Sequence, residues 1–174
     1  IADTVAIPQI VYNVPGRTSV DMLPETVQRL STHTNIIGIK EASGNKDRSM
    51  QLMKLCSENI QIFTGDDKTS MSDIIDGFSG NISVTANVAP LEMHMMCKYA
   101  IEGDLEKAKE INSKIETLHD ILFCESNPIP VKWCLNKMGL IKKGIRLPLT
   151  WMDEKYYKSL NLSLIHISEP TRPT

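Results

Sequence analysis

The sequence predicts an α/β fold in which parallel strands alternate with helices, followed by a region that contains helices alone. Between residues 1 and 103, four short β-rich runs each precede a helical pattern, whereas only helical patterns remain from residue 104 onward. The second run, Ile36-Ile37-Gly38-Ile39, is apolar at adjacent positions. Such a run is typical of a strand that is buried on both faces of a parallel sheet.

Local signals support each predicted element in turn. A Pro15-Gly16 turn follows the first strand, Pro24 lies in the first turn of a helix, and Asn45 has the residue type of an N-cap. Apolar residues at three- and four-residue spacing define the helix that follows Asp104. We expect strands over 9–13, 36–40, 60–64 and 80–85, and helices over 24–33, 45–58, 70–76, 90–102, 104–118, 131–138 and 152–160.

Four strand–helix units are half of what a closed barrel of this type requires. A (β/α)8 or TIM barrel contains eight units in roughly 250 residues. The chain has 174 residues and begins at Ile1, in the middle of the pattern. We therefore expect residues 1–103 to be the second half of a (β/α)8 barrel, residues 104–160 to be a C-terminal helical region, and the polypeptide to be a fragment.

The last residues differ in character from the rest of the chain. Residues 162–174, L-S-L-I-H-I-S-E-P-T-R-P-T, resemble the translation of a sequencing-library adapter. We expect residues 161–174 to be a non-native tail that does not continue the preceding helix. An ordinary C-terminal tail is the alternative, and His166 is left out of any site on this ground.

Charge and cysteine usage limit the classes of partner. The net charge is −2 and the basic residues are scattered, which argues against a nucleic-acid binder or a polybasic membrane patch. The four cysteines form no C-x-x-C pair, which favours free thiols in a reducing compartment. No apolar run has the length of a membrane span, and the first residues lack a basic signal-peptide region. We expect a cytoplasmic protein whose partners are small molecules and copies of itself.

Lys40 is the first candidate site residue, because it ends a strand that is otherwise apolar. Burial lowers the pKa of a lysine, so a lysine at this position must be paired, reach water or act as a neutral amine. A neutral amine can form a Schiff base with a carbonyl substrate. The alternative is a lysine that extends to solvent from the strand end.

Tyr12 lies at the carboxyl end of the neighbouring strand and Arg17 on the loop that follows it, so we expect both at the same edge of the sheet as Lys40. An imine-forming lysine, a tyrosine hydroxyl that transfers protons and an arginine that binds a carboxylate fit carbon–carbon bond chemistry on a 2-oxo acid. Packing of Tyr12 and solvation of Arg17 are the alternatives. Asp66-Asp67 lacks further metal ligands at a useful spacing, so we expect loop and helix-capping roles there, and structural pairing behind the site for Glu41.

Five ordered motifs over residues 1–160 resemble the dihydrodipicolinate synthase family of Schiff-base class I aldolases. They are Y-N-V-P-G-R-T from Tyr12, G-I-K-E-A-S-G from Gly38, T-G-D-D from Thr64, I-S-V-T-A-N from Ile82 and N-P-I-P-V-K from Asn127. The resemblance implies condensation of pyruvate with aspartate semialdehyde on the diaminopimelate route to lysine. It also implies a homotetramer that needs no metal or organic cofactor, since the lysine imine is itself the electron sink.

The resemblance implies a role for each matching residue. Lys40 would form the imine with pyruvate, and Tyr12 would relay protons. Arg17 would bind the carboxylate of the semialdehyde, while main-chain groups of Gly65 and Ile82 would line the site. Other pyruvate-dependent lyases, such as N-acetylneuraminate lyase or a 2-keto-3-deoxy sugar-acid aldolase, and a non-catalytic barrel remain alternatives.

The sequence lacks one motif of the family, and this affects the activity that we expect of the polypeptide. The family's Gly-Thr-Thr-Gly-Glu motif, which completes the proton relay, is absent from this sequence. We therefore expect the full-length protein to be an enzyme and this polypeptide alone to be inactive.

Overall fold

The computed structural model describes the backbone of residues 1–168 and the side chains of residues 1–165. The chain divides into two compact units, one formed by residues 1–83 and 100–104, the other by residues 84–99 and 105 onward. Within the described residues, no helix is long and apolar enough to cross a membrane.

The first unit is built on a four-stranded parallel sheet. Its strands pair in chain order, β1 with β2, β2 with β3 and β3 with β4, as consecutive strands of a barrel do. The strands are β1 Gln9–Asn13, β2 Ile36–Glu41, β3 Gln61–Thr64 and β4 Gly80–Asn81, and the helices between them are α1 Pro15–Thr18, α2 Pro24–Leu30, α3 Lys46–Cys56 and α4 Ser70–Ile75.

Apolar residues of the strands and helices form the core of this unit. Ile39 of β2, Leu52 of α3 and Val27 of α2 are fully buried. The Asn45 side chain accepts a hydrogen bond from the Arg48 N–H at 3.1 Å, which confirms the predicted N-cap and fixes the start of α3. This start matters for the site because it orients Arg48.

The second unit is helical. It contains α6 Leu105–Ile121, α7 Ile129–Lys137, α8 Tyr157–Ser168 and two 3₁₀ turns, Thr85–Asn87 and Glu154–Tyr156, while α5 Pro90–Glu102 crosses from this unit into the first. Trp133 is buried, and its ring centre lies 4.8 Å from that of Tyr157. The Thr85 hydroxyl and the His119 Nδ1 form a buried hydrogen bond of 2.9 Å.

The fourth strand is shorter than the sequence predicts. β4 ends at Asn81, and the β-branched residues Ile82, Val84 and Thr85 lead into a 3₁₀ turn instead of continuing the strand. The N–H of Val88 and that of Ala89 both donate to the Thr85 carbonyl, so local turn formation replaces the sheet ladder. The turn is also held by the buried hydrogen bond between the Thr85 hydroxyl and His119, and together these contacts override the β-propensity of the residues.

The prediction that residues 162 onward leave the preceding helix is wrong. Helix α8 continues through Ser168. Leu160 is fully buried, and no glycine or proline interrupts the sequence between Tyr157 and Pro170. The non-native origin of residues 161–174 stays a prediction, and residues 169–174 lie outside the described residues.

Candidate active site

Tyr12 and Lys40 lie side by side at the carboxyl edge of the sheet. They are register partners on the parallel strands β1 and β2. The Lys40 Nζ lies 4.4 Å from the centre of the Tyr12 ring, within the range of a cation–π contact. The last residue of each strand, Asn13 in β1 and Glu41 in β2, points the other way because side chains alternate along a strand. The sheet therefore presents an amine and a phenol together on one face.

The environment of Lys40 favours the neutral amine. The residue is half-buried, and burial lowers the pKa of Lys40 below the ordinary lysine value of 10.5. The carboxylate of Asp67 opposes this shift in pKa, and the positive charge of Arg17 adds to it. A lysine whose pKa is lowered supplies more of the nucleophilic amine near neutral pH.

Gly65 lies directly against the Lys40 side chain. A Cβ added at residue 65 would lie 2.5 Å from Lys40 Cε and 2.8 Å from Ala42 Cβ, both far inside van der Waals contact. The Gly65 N–H donates to the Glu41 carbonyl at 2.6 Å, which fixes the backbone in this place. Glycine is needed at position 65 because the Lys40 side chain occupies the space that a side chain at residue 65 would fill.

Arg17 and Ile82 lie at the same edge of the sheet. Arg17 is an exposed residue of α1, directly after β1, and acts on Lys40 through its charge. Ile82 follows β4, and its N–H donates to the Thr64 carbonyl at 2.9 Å, next to Gly65. Ile82 and Lys40 therefore both lie at the carboxyl ends of their strands.

Asp67 is a member of the site that the sequence interpretation missed. Its side chain is only 2% exposed, and its Oδ1 accepts a hydrogen bond from Asn81 Nδ2 at 2.8 Å. The predicted loop-capping role holds for Asp66, whose Oδ1 accepts from the N–H of Lys68 and that of Thr69. Adjacent acidic residues after a strand do not reveal which carboxylate turns inward, and here the second one does.

Asn13 and Glu41 form a buried pair behind the site. Asn13 Nδ2 donates to Glu41 Oε2 at 2.9 Å, and the two residues are register partners. Glu41 Oε1 also accepts from the Ser43 N–H at 2.7 Å. The predicted structural pairing of Glu41 is confirmed, whereas sequence reasoning did not assign Asn13 any role.

Comparison with known proteins identifies the family. The family model described as the dihydrodipicolinate synthetase family matches residues 1–167. The chain belongs to this family.

Two curated relatives of this family are named 4-hydroxy-tetrahydrodipicolinate synthase. One, from Pseudomonas aeruginosa, is 53% identical over 164 residues, and the other, from Alcanivorax borkumensis, is 56% identical over 154 residues. The alignments cover 94% and 88% of this chain but 56% and 52% of the relatives. The chain therefore spans about half the length of these synthases.

Solved structures of the family share the fold. The crystal structure of the chloride-inhibited dihydrodipicolinate synthase from Acinetobacter baumannii, complexed with pyruvate, is 49% identical with a TM-score of 0.93. A monomeric dihydrodipicolinate synthase variant is 38% identical with a TM-score of 0.91. In each comparison 95% of this chain covers 57% of the other. The predicted fold, a partial TIM barrel followed by helices, is confirmed.

Proposed function

We propose that the full-length protein containing this chain is a 4-hydroxy-tetrahydrodipicolinate synthase, a lyase that condenses pyruvate with L-aspartate 4-semialdehyde in lysine and diaminopimelate biosynthesis. One observation carries the proposal. Lys40 presents a half-buried amine of lowered pKa at the carboxyl edge of the sheet, over the ring of Tyr12. The names of the relatives and the pyruvate in one similar structure support the same reaction.

In the proposed mechanism, the Lys40 amine attacks the ketone carbon of pyruvate, and loss of water gives an imine. Loss of a methyl proton converts the imine to an enamine, which adds to the aldehyde carbon of the second substrate. The amino group of that substrate then attacks the imine carbon, closes the ring and releases Lys40. Tyr12 is the group that donates and accepts protons in these steps.

The remaining site residues bind the substrates in this proposal. The guanidinium of Arg17 binds the carboxylate of the semialdehyde, since its planar donors match two carboxylate oxygens. Main-chain groups of Gly65 and Ile82 line the pocket beside the lysine. The exposed position of Arg17 supports a role at the entrance, where the second substrate arrives.

Assembly and location are part of the proposal. We propose a homotetramer for the full-length protein, with the monomeric variant among the similar structures as the contrasting state. None of the four cysteines forms a disulfide, which supports a reducing compartment such as the cytoplasm.

We also propose that the 174-residue chain is inactive by itself. Within the described residues, β1 and β4 each pair on one side only, so two sheet edges are open. Ile10, Tyr12 and Ile37 on the sheet are each more than 40% exposed. Open edges and exposed apolar residues favour self-association over catalysis.

Steady-state kinetics of the full-length protein test the proposed function. Pyruvate and aspartate semialdehyde are expected to be consumed together, and Arg17→Ala is expected to raise the KM for the semialdehyde by about tenfold or more, since a charged hydrogen bond to a carboxylate is lost. Cleavage of N-acetylneuraminate or of a 2-keto-3-deoxy sugar acid, without the condensation, would contradict the proposal and assign the protein to another pyruvate-dependent lyase.

A further inference from the structure

A buried amide lies between the catalytic strands and the loop that carries Arg17. The Asn13 side chain is 2% exposed and makes three hydrogen bonds. Its Nδ2 donates to Glu41 Oε2 at 2.9 Å and to Asp21 Oδ1 at 3.1 Å, while its Oδ1 accepts from the Met22 N–H at 2.9 Å. Two carboxylate acceptors and one N–H donor fix the orientation of the amide without ambiguity.

These bonds close residues 14–22 into a loop with both ends at Asn13. One end is the peptide chain itself, and the other is the pair of bonds from Asn13 to Asp21 and Met22. Arg17 lies inside this loop, in α1. On the side of β1, the place of Arg17 relative to Tyr12 is therefore set by the Asn13 side chain, which directly follows Tyr12.

Glu41 connects the same amide to the strand of Lys40. It is 3% exposed, directly follows Lys40 and holds Asn13 through its Oε2. A buried carboxylate is stable only when it is hydrogen-bonded, so Glu41 and Asn13 need each other. The pairs Tyr12 with Lys40 and Asn13 with Glu41 are consecutive in the same register.

Arg48 anchors the far side of the loop. Its Nη1 donates to Asp21 Oδ1 and to the Met22 carbonyl, both at 2.9 Å, and its Nη2 donates to Asp21 Oδ2 at 2.6 Å. The Asn13 amide and the Arg48 guanidinium hold the pKa of the Asp21 carboxyl below its ordinary value. The loop is thus held between β1, β2 and the first turn of α3.

We propose that Asn13 is a positioning residue that fixes the Arg17 loop relative to Tyr12 and Lys40 and thereby sets the affinity for the carboxylate-bearing aldehyde. This inference rests on the proposed function. Loss of the Asn13 amide detaches the loop from β1, although Arg48 still holds Asp21 and Met22 from α3, while β1 and β2 remain paired through their backbones. Binding of the aldehyde then weakens, and imine formation with pyruvate at Lys40 does not.

Asn13→Ala in the full-length protein tests this division between the two substrates. The KM for the aldehyde is expected to rise by about tenfold or more, because small displacements of a binding group cost this much. The KM for pyruvate and the amount of borohydride-trapped pyruvate adduct are expected to stay within about twofold of the wild-type values. Asn35→Ala is the matched control. Its amide also holds a loop, donating to the Ala2 carbonyl at 2.9 Å, but at the other end of β2.

Limited trypsin digestion measures the loop without depending on activity. Cleavage after Arg17 requires the loop to open, so it is expected to be faster in Asn13→Ala than in the wild type and in Asn35→Ala. If Asn13→Ala does not fold, Asp21→Asn takes its place. That variant keeps the Asn13–Glu41 pair and puts an amide NH₂ or an uncharged oxygen against Arg48. We expect it to raise the KM for the aldehyde and to speed cleavage after Arg17, each by less than Asn13→Ala does.

A swap of donor and acceptor provides a rescue. Asn13→Asp places a carboxylate against the carboxylates of both Glu41 and Asp21, and Glu41→Gln places an NH₂ group against the NH₂ of Asn13 or against the Ser43 N–H. The double variant restores one donor and one acceptor between residues 13 and 41 and keeps the Met22 N–H bond, but the bond to Asp21 stays lost, so the rescue is partial. Its KM for the aldehyde is expected to lie below that of the Asn13→Asp single variant, as direct coupling requires.

The outcomes separate the two proposals. A raised aldehyde KM with normal pyruvate trapping, faster cleavage at Arg17 and rescue by the double variant support the positioning role. Unchanged aldehyde KM, or equal changes for both substrates, overturns it. If the wild type forms neither adduct nor product, the proposed function fails and the positioning role fails with it, whereas a working wild type with an unaffected Asn13→Ala overturns the positioning role alone.

Discussion

The Lys40 Nζ lies 4.4 Å from the centre of the Tyr12 ring, and the two residues are register partners on adjacent parallel strands. Parallel pairing places both side chains on one face at the carboxyl edge of the sheet. The amine is thus next to the group that is proposed to move its protons. The relationship follows from the backbone and does not depend on flexible loops.

Tyr12→Phe distinguishes the role of the Tyr12 hydroxyl from that of the ring. Phenylalanine keeps the aromatic face beside Lys40, but it cannot transfer a proton. The rate of pyruvate adduct formation is expected to fall by about 10²-fold, the lower range for loss of a positioned acid–base group. Stopped samples trapped with borohydride at increasing times measure this rate. An adduct that forms at the wild-type rate would remove Tyr12 from the proton relay.

Gly65→Ala tests the close approach of the backbone to Lys40. The new methyl group would lie 2.5 Å from Lys40 Cε, so the lysine must move or the backbone must shift, at a cost of about 1–3 kcal/mol. We expect adduct formation to fall by about tenfold or more. Gly144→Ala is the matched control because nothing lies within 4 Å of the added Cβ. Equal rates in both variants would contradict the packing around Lys40.

Two charges act on the pKa of Lys40 in opposite directions, so removing each of them should shift the pH profile of adduct formation in opposite directions. Arg17 lowers this pKa, so Arg17→Ala is expected to raise it and move the pH profile of adduct formation to higher pH. Asp67 raises it, so Asp67→Asn is expected to move the profile to lower pH. Adduct formation requires the neutral amine and therefore increases as the pH rises through the pKa of Lys40. Trapping rates between pH 6 and pH 10 measure the profiles; shifts of the same sign would contradict the assignment.

Cys134 is expected to resist alkylation in the folded chain. Burial raises the pKa of its thiol to about 12, and the nucleophile is the thiolate. Iodoacetamide is expected to leave Cys134 unmodified under native conditions and to modify it after denaturation, as measured by peptide mass spectrometry. Rapid native labelling of Cys134 would show that the second unit is not packed as described.

The strands that carry the site were predictable because their signals are local. β-branched runs at 9–13, 36–40 and 60–64 each end in a turn, and the structure forms β1, β2 and β3 there. Lys40 stood out because an ammonium ends an apolar run. The adjacency of Tyr12 and Lys40 then followed from parallel pairing.

The rest depended on tertiary contacts that no local signal contains. Ile82, Val84 and Thr85 have strand propensity, yet the chain turns there and the Thr85 hydroxyl bonds His119. The inward-turned Asp67 accepts a hydrogen bond from Asn81, fourteen residues away. The sequence shows only that Asn13 is adjacent to Tyr12. Its hydrogen-bond partners Asp21 and Glu41 are distant in sequence and come close to Asn13 only in the folded structure.

Trapping of pyruvate on the protein shows directly whether Lys40 forms the imine. The full-length protein is incubated with pyruvate and borohydride, and the added mass is located by peptide mass spectrometry, with Lys40→Arg as the control. We expect a reduced pyruvate adduct on Lys40 that is absent from the control. A folded wild-type protein without this adduct, or with the adduct on another lysine, would contradict it.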